Sequence, residues 1–324
     1  MIMNSHLRNQ IKTSAKALSQ GHLVIFPTET VYGLGADPQN EAAVKRIFEI
    51  KNRPDNHPLI VHISSINQLS LWARQISNYA WNLANAFWPG PMTLVLPRTE
   101  LAKDFITGRQ DTVAVRIPDS KIALKLINQF RRFGGAGVSA PSANTFGGVS
   151  PTNLSHISES ILSNLDQSDQ VIDGGNCHLG LESTIISCTG SVPQILRPGF
   201  ITEEMVNSVV EMGKQSESHK NQLLSIRVPG SHEKHYSPKA IILLNGVASP
   251  GDGFIAMSDI ATPPGAIRLM SPNTHKEFAH QLYSAFHLAD NCILDRIIVI
   301  PPTGNGITVA INDRLIKAAA NKNV

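Results

Sequence analysis

Short apolar runs alternate with amphipathic segments along most of this chain, and the alternation is broken once, between residues 211 and 239. A strand that reads as a near-continuous apolar run must be covered on both faces, so this alternation dictates a layered α/β fold. Leu7, Ile11, Ala15 and Leu18 recur at steps of four, four and three and predict a helix over 5–19. HLVIF (22–26) is a strand stopped by Pro27, and the segment 43–51 is a helix with Asp37 or Asn40 as its cap. PLIVHI (58–63), MTLVLP and TVAVRIP are strands; helices fall at 76–88, ended by Pro89-Gly90-Pro91, and at SKIALKLINQF. GAGVSAPSAN is a strand running into a loop. Helices near 152–164 and 202–210, with the strands STIIS and QILRPG, complete the region.

The stretch from 211 is rich in Ser, Lys and His and has no periodicity, so residues 211–239 are expected to be a linker between a first domain, 1–210, and a second, 240–324. In the second, AIILLN, GFIAMS, AIRLM and RIIVI interleave with two helical segments, which predicts a small parallel-sheet, Rossmann-like unit. A net charge of +3 suits an anionic small molecule better than the basic stripe of a dedicated nucleic-acid binder. The three cysteines show no CxxC pairing, which argues against a disulfide framework and against a zinc ribbon. With neither a signal-peptide core nor an apolar run of about 20 residues, a cytoplasmic location is expected.

Several nucleotide and metal motifs are missing. There is no GxxxxGK[ST], no GxGxxG opening a helix and no GxSxG elbow. SHEKHY places His232 and His235 three apart, where a zincin helix needs four, so no metal site is expected.

Four clusters carry chemistry instead. FPTETVYGLGADP (26–38) follows a strand, as a turn or as a hydroxyl-lined ligand loop. KNRPDNHPLIVHI (51–63) sets Lys51, Arg53 and His57 before a strand containing His62; it reads as a solvated helix end or as a phosphate clamp. DTVAVRIP (111–118) carries Arg116 on the face opposite Val113 and Val115, where it could meet a carboxylate. GVSAPSANTFGGVSPT (137–152) supplies Ser142, Asn144 and Ser150, and Ser183, Thr184 and Arg197 follow at strand ends in GLESTII and ILRPG. Together they describe a rim rich in cations and hydroxyls and poor in carboxylates.

In this order the motifs closely resemble the threonylcarbamoyl-AMP synthase (YrdC-like) family over roughly 15–200. The family's KxR…SxN signature falls on Lys51, Arg53, Ser142 and Asn144. PGSHEKHYSPKA and GNGITVAINDRLIKAA resemble the linker and the C-terminal end of its longer, two-domain members. His57 stands where many relatives carry Asn, and an imidazole can still donate a hydrogen bond there. The resemblance implies an open, twisted mixed sheet around a cationic pocket, a smaller Rossmann-like domain, and a linker folded over the pocket as a lid. It implies that threonine, bicarbonate and ATP give threonylcarbamoyl-AMP and pyrophosphate, the first step toward threonylcarbamoyladenosine in tRNAs reading ANN codons. Mg2+ would accompany ATP, with no organic cofactor.

By matching positions, the resemblance makes Lys51, Arg53, Ser142 and Asn144 the catalytic signature. It puts Arg53, His57, Thr112, Ser142, Ser150, Arg197, His235 and Tyr236 on ATP, and Thr30, His62, Arg116 and Ser183 on threonine. Downstream tRNA threonylcarbamoyl-transferase proteins and weak tRNA contact are the implied partners, with no membrane. The alternatives are a double-stranded RNA or tRNA-binding protein without this catalysis, and a carbamoyl-transfer enzyme of the hydrogenase-maturation type. The modest charge and the 6 % aromatic content speak against the first. The missing acylphosphatase-like domain and zinc-finger cysteines speak against the second.

Overall fold

Helices and strands in the computed structural model follow the alternation read from the sequence; it describes residues 5–210, 226–230 and 235–320. The first part contains β1 (Val24–Pro27), β2 (Tyr32–Gly35), β3 (Ile60–His62), β4 (Met92–Pro97), β5 (Thr112–Arg116), β6 (Val138–Ala140), β7 (Gln170–Val171), β8 (Thr184–Ser187) and β9 (Gln194–Arg197). Its helices are α1 (Ser5–Ser19), α2 (Glu41–Lys51), α3 (Leu69–Trp72), α4 (Asn78–Phe87), α5 (Asp104–Thr107), α6 (Lys121–Arg131), α7 (Glu159–Leu162) and α8 (Glu203–Asn207).

A six-stranded sheet runs β6-β3-β5-β4-β8-β9, and a three-stranded one runs β2-β1-β7. Both mix parallel and antiparallel pairs, and single bridges from Gly33 to Ser142 and from Ala36 to Ser139 tie them together. Apolar residues of α2, α4 and the sheet make the largest core, around Ile47, Leu83, Leu94 and Trp72. Helices α1 and α6 cover β1 with a second, from Leu18, Phe26, Leu126 and Phe130. Each fully buried Leu or Phe contributes about 1.5–3 kcal/mol of transfer free energy, and these cores hold the sheet edges in place.

Two expectations change on contact with the structure. FPTETVYGLG, read as a turn or as a hydroxyl-lined loop, is the tip of a hairpin: the Thr28 hydroxyl accepts from the Thr30 and Val31 amides, and β1 turns back as β2 with Pro27 opposite Tyr32. The helix expected over 152–164 is a 3-10 turn at Leu154–His156 followed by the single turn of α7, because Ile157 between them is extended.

The last part has β10 (Ile241–Leu244), β11 (Gly253–Ile255), β12 (Ile267–Met270), β13 (Arg296–Val299), α9 (His275–Asn291) and α10 (Ile307–Ala319). Its four strands run parallel in the order β10-β13-β11-β12, as the near-continuous apolar runs require. Thr274 caps α9 by accepting from the Glu277 amide. The core of this domain takes in Val31, Val149 and Leu181 of the first domain and Tyr236 of the connecting segment. That shared apolar surface fixes the two domains against each other.

Candidate active site

The cavity lies where the β1–β2 hairpin tip, the ends of β3 and β5, and the loop after β6 meet. Residues Thr28, Thr30, Arg53, His62, Arg116, Ser142, Ser183 and Arg197 line it from the first domain. Pro229, Gly230, His235 and Tyr236 roof it, leaving about 50 Å³ free. Small-ligand clefts run to hundreds of Å³, so these four residues leave little of the space that a ligand of nucleotide size needs.

Local structure explains why Lys51 and Arg53 are both inside. Helix α2 is capped by Asn40 and ends at Lys51, and Asn52 adopts a left-handed conformation at φ 50°. That single turn of backbone brings residues two apart to the same interior. Lys51 Nζ donates to the carbonyls of Ser142, at 2.6 Å, and Asn144. It is a strut for the Ser142–Asn144 loop, and it is absent from the cavity wall. Burial pushes its ammonium well below the usual lysine range. Two donors satisfy two carbonyls, so the strut holds in either protonation state.

Arg53 is different. Its Nη2 donates to Pro58 O at 3.0 Å, while Nε has no protein partner. No ion pair among the described residues joins it to a carboxylate. Burial lowers its pKa to about 10, so it remains a cation at neutral pH, held beside Phe146 and Arg197. An uncompensated buried cation is costly, and an anionic ligand would relieve it. Arg197 ends β9 and is pinned by Ser183: Nη2 donates to Ser183 O at 2.9 Å and to Ser183 Oγ at 3.2 Å.

On the other wall, β3 and β5 are parallel with His62 in register with Arg116. Arg116 Nη2 donates to Glu29 Oε1 at 2.5 Å and Nη1 to Thr30 Oγ1 at 3.1 Å. Glu29 Oε2 is buried without a partner. Burial, with the Arg116 charge second, lowers the His62 pKa to about 3; burial does the same to His235. Both rings are therefore neutral at physiological pH and able to accept a hydrogen bond.

Linkage fixes a pH dependence. The folded state binds fewer protons than the unfolded one below the ordinary histidine value of about 6.5, so stability is full above that pH and falls below it. His62 and His235 each contribute a slope of up to about 1.4 kcal/mol per pH unit, extending toward pH 3. Urea titrations at pH 7 and pH 5 should show the loss, and His62→Gln should about halve it; equal midpoints at both pH values would contradict the assignment.

The structure thus brings together Arg53, Ser142, Arg197, His235 and Tyr236 from the residues assigned to ATP, and all four assigned to threonine: Thr30, His62, Arg116 and Ser183. Others stand back. Asn144 donates to the Thr145 and Gly148 carbonyls and faces a separate cleft of about 610 Å³ between the domains. Ser150 donates to Glu182. His57 is buried edge-on to Phe146, and Thr112 begins β5 at the end away from Arg116.

The expectation of a carboxylate-poor rim is corrected. Glu29 and Glu182 are both buried at the site, each neutralising an arginine. Thr28, Glu29, Glu182 and Gly230 stand inside the motifs FPTET, GLEST and PGSHEKHY, beside residues that the sequence already marks. Of the expected lid, residues 211–225 and 231–234 lie outside the described residues.

Known proteins share both halves of this arrangement. Residues 16–199 match the family model described as telomere recombination, and residues 201–320 match the one described as threonylcarbamoyl-AMP synthase, C-terminal domain. The threonylcarbamoyl-AMP synthase of Pyrococcus abyssi is 38% identical over 326 residues, 96% of this chain and 94% of that protein. The Bacillus subtilis protein of the same name is 34% identical over 331 residues, 97% of this chain and 94% of that one. A crystal structure of P. abyssi Sua5 complexed with L-threonine superposes with a TM-score of 0.84 at 36% identity, covering 96% of this chain and 94% of that one.

Proposed function

The chain belongs to the threonylcarbamoyl-AMP synthase family, in its long two-domain form, and from that premise we propose how the closed cavity performs the reaction. The activity is condensation of L-threonine, bicarbonate and ATP into L-threonylcarbamoyladenylate and pyrophosphate. It is the opening step of threonylcarbamoyladenosine formation in tRNA, and the enzyme is a nucleotidyltransferase.

One observation carries the assignment of the site: three arginines from three separate strands and turns, Arg53, Arg116 and Arg197, converge on one roofed cavity that Thr30, His62 and Ser183 also line. Threonine would lie against Arg116, its carboxylate on the guanidinium hydrogens left free by Glu29, with Thr30 and Ser183 supplying hydroxyls and His62 a neutral acceptor. Its amine attacks the carbon of CO2 drawn from bicarbonate and loses a proton, giving a carbamate. A carbamate oxygen attacks the α-phosphorus of ATP, and the bond to the β-phosphate bridging oxygen breaks to release pyrophosphate. Charge on the phosphates grows at Arg53 and Arg197, so positioning and cationic stabilisation supply the catalysis.

Lys51 serves through the loop it braces, and His57, Asn144 and Ser150 serve through Phe146, the same loop and Glu182. Among the described residues no three His, Cys, Asp or Glu come together to hold a metal. Mg2+ would accompany the ATP phosphates and offset their charge. Catalysis is assigned to 1–210, closure to 211–239 and support to 240–324. Delivery to tRNA threonylcarbamoyl-transferase proteins, weak tRNA contact and a cytoplasmic setting complete the proposal; among the described residues no helix is long and apolar enough to cross a membrane.

Pyrophosphate release with threonine and bicarbonate omitted in turn tests the reaction. Release should require both; release needing neither would overturn it.

Closure has its own test. A Cβ at Gly230, whose φ is +82°, would collide with the Tyr236 hydroxyl and crowd Arg197. Tyr236 itself sits at φ +65°, a strained value for a bulky residue. Gly230→Ala should hold the roof off the site and cut turnover on the order of a hundredfold, with little change in melting temperature. Wild-type turnover would mean that the segment is a tether.

A further inference from the structure

The mild net charge of +3 hides a strong segregation of charge. Seven of the 28 lysines and arginines, and none of the 25 acidic residues, lie on α1 and on α6 with its cap Arg132. Elsewhere in the chain acids outnumber cations. On α1, Arg8, Lys12 and Lys16 follow one another at steps of four, so they share one face at intervals of about 6 Å along the axis. On α6, Lys121 and Lys125 repeat that step, and Arg132 falls on the same side about two turns further on. These six cations and Arg131 are all exposed. The apolar faces of both helices are spent on β1, where Ile11, Leu18, Leu126 and Phe130 are buried together with Val24 and Phe26.

Helix α2, by contrast, mixes its signs and pairs Lys45 with Glu49. Among the described residues no ion pair engages Arg8, Lys12, Lys16, Lys121, Arg131 or Arg132. A groove of about 210 Å³ lies between the two helices, lined by Arg8 and Lys12 from one and by Lys125 and Arg132 from the other. Asn128 and Gln129 also stand in its wall, and each amide oxygen already accepts a hydrogen bond. Ser64 Oγ donates to Asn128 Oδ1 at 2.8 Å, and Arg132 Nη1 donates to Gln129 Oε1 at 3.4 Å. The groove offers donors and positive charge with no acid in its wall, and that combination selects anions.

Extent and polarity set the class of anion. A 15-residue helix beside an 11-residue one spreads the charge over about 20 Å, more than a single phosphate group can cover. A bilayer surface calls for apolar side chains beside the charge, and here those face β1. A repeating phosphate backbone matches both properties. We infer that the α1–α6 face is a docking surface for the phosphate backbone of structured RNA. It is separate from the cavity, since no residue of either helix lines that site. The inference rests on the function proposed above for tRNA as the partner, and it gives that contact a place. Phosphate contacts position a nucleic acid without reading its sequence, so this face holds the RNA and takes no part in the chemistry.

The deciding variant is Lys12→Gln/Arg132→Gln in the full chain. Both side chains are exposed, so the fold tolerates the change. Fluorescence anisotropy with an unmodified tRNA transcript, between about 50 and 200 mM salt, should show a Kd weakened about tenfold and a salt slope reduced by about two. Pyrophosphate release with threonine, bicarbonate and ATP should match wild type. Lys45→Gln/Lys276→Gln removes the same charge from α2 and α9 and should bind the tRNA as wild type does.

An unchanged Kd and slope in Lys12→Gln/Arg132→Gln overturns the surface. An equal loss in Lys45→Gln/Lys276→Gln also overturns it, because the effect would then be one of net charge. Weakening in Arg53→Met alone would move the RNA to the cavity, and wild-type binding to phosphatidylserine vesicles but not to tRNA would make the face a membrane contact; either result overturns the proposal. If pyrophosphate release needs neither threonine nor bicarbonate while the two paired variants separate as expected, the activity reading falls and the RNA surface stands.

Discussion

Arg53→Met should abolish threonine-dependent pyrophosphate release, by about 10³-fold or more, without lowering the melting temperature. The two signs come from the same fact. In the ligand-free protein Arg53 is a buried cation with one hydrogen bond, to Pro58 O, an orphaned Nε and a neighbouring Arg197 that repels it. The fold holds this charge at a cost, which methionine of similar length removes while keeping the packing on Phe146. In the reaction the same guanidinium faces phosphates whose charge rises as pyrophosphate leaves, where a single positioned arginine is worth about 10³–10⁵ in rate. Thermal melts alongside a pyrophosphate assay decide the matter. A destabilised variant would make Arg53 a structural residue, and an active one would take it off the phosphates.

Arg116→Ala is the second large effect, and it acts on fold and ligand together. Removing Arg116 leaves the Glu29 carboxylate buried, with both its side chain and that of Arg116 almost inaccessible in the parent. Breaking a buried pair from one side costs about 3–5 kcal/mol, a large share of the 5–15 kcal/mol that holds an ordinary domain together. The double variant Arg116→Ala/Glu29→Ala removes both charges and should recover a good part of that loss. It should not recover threonine binding, because the fork for the carboxylate is gone; a charged hydrogen bond of about 1.5–3 kcal/mol corresponds to a Kd weakened at least tenfold. Calorimetric titration of threonine into the double variant separates the two roles. A wild-type Kd there would leave Arg116 as nothing more than the partner of Glu29.

Much of the site was legible in the sequence because the cost of burying charge is local. A lysine, an arginine and a histidine set against PLIVHI need an explanation that a surface strand does not supply, and Arg116 among valines needs the same. The parallel character of the last four strands was equally legible, since an uninterrupted apolar run is stable only when covered on both faces. The β1–β2 hairpin was not, because one hydroxyl, that of Thr28, makes the turn and no alternation of residues announces it.

What residues 1–324 determined by themselves was that Lys51, Arg53 and Arg116 carry charge toward the interior and which segments layer over them, because both follow from patterns a few residues long. Only the tertiary structure decided which partner each group has. Lys51 is spent on the carbonyls of Ser142 and Asn144, 91 and 93 positions away, while Arg53 beside it in sequence is left without a carboxylate. Glu182 meets Tyr283 and Arg314 across 101 and 132 positions. Contacts of that range depend on how sheets and helices stack, and no local pattern encodes them. The junction of the two domains at Glu182 is therefore visible in the fold alone.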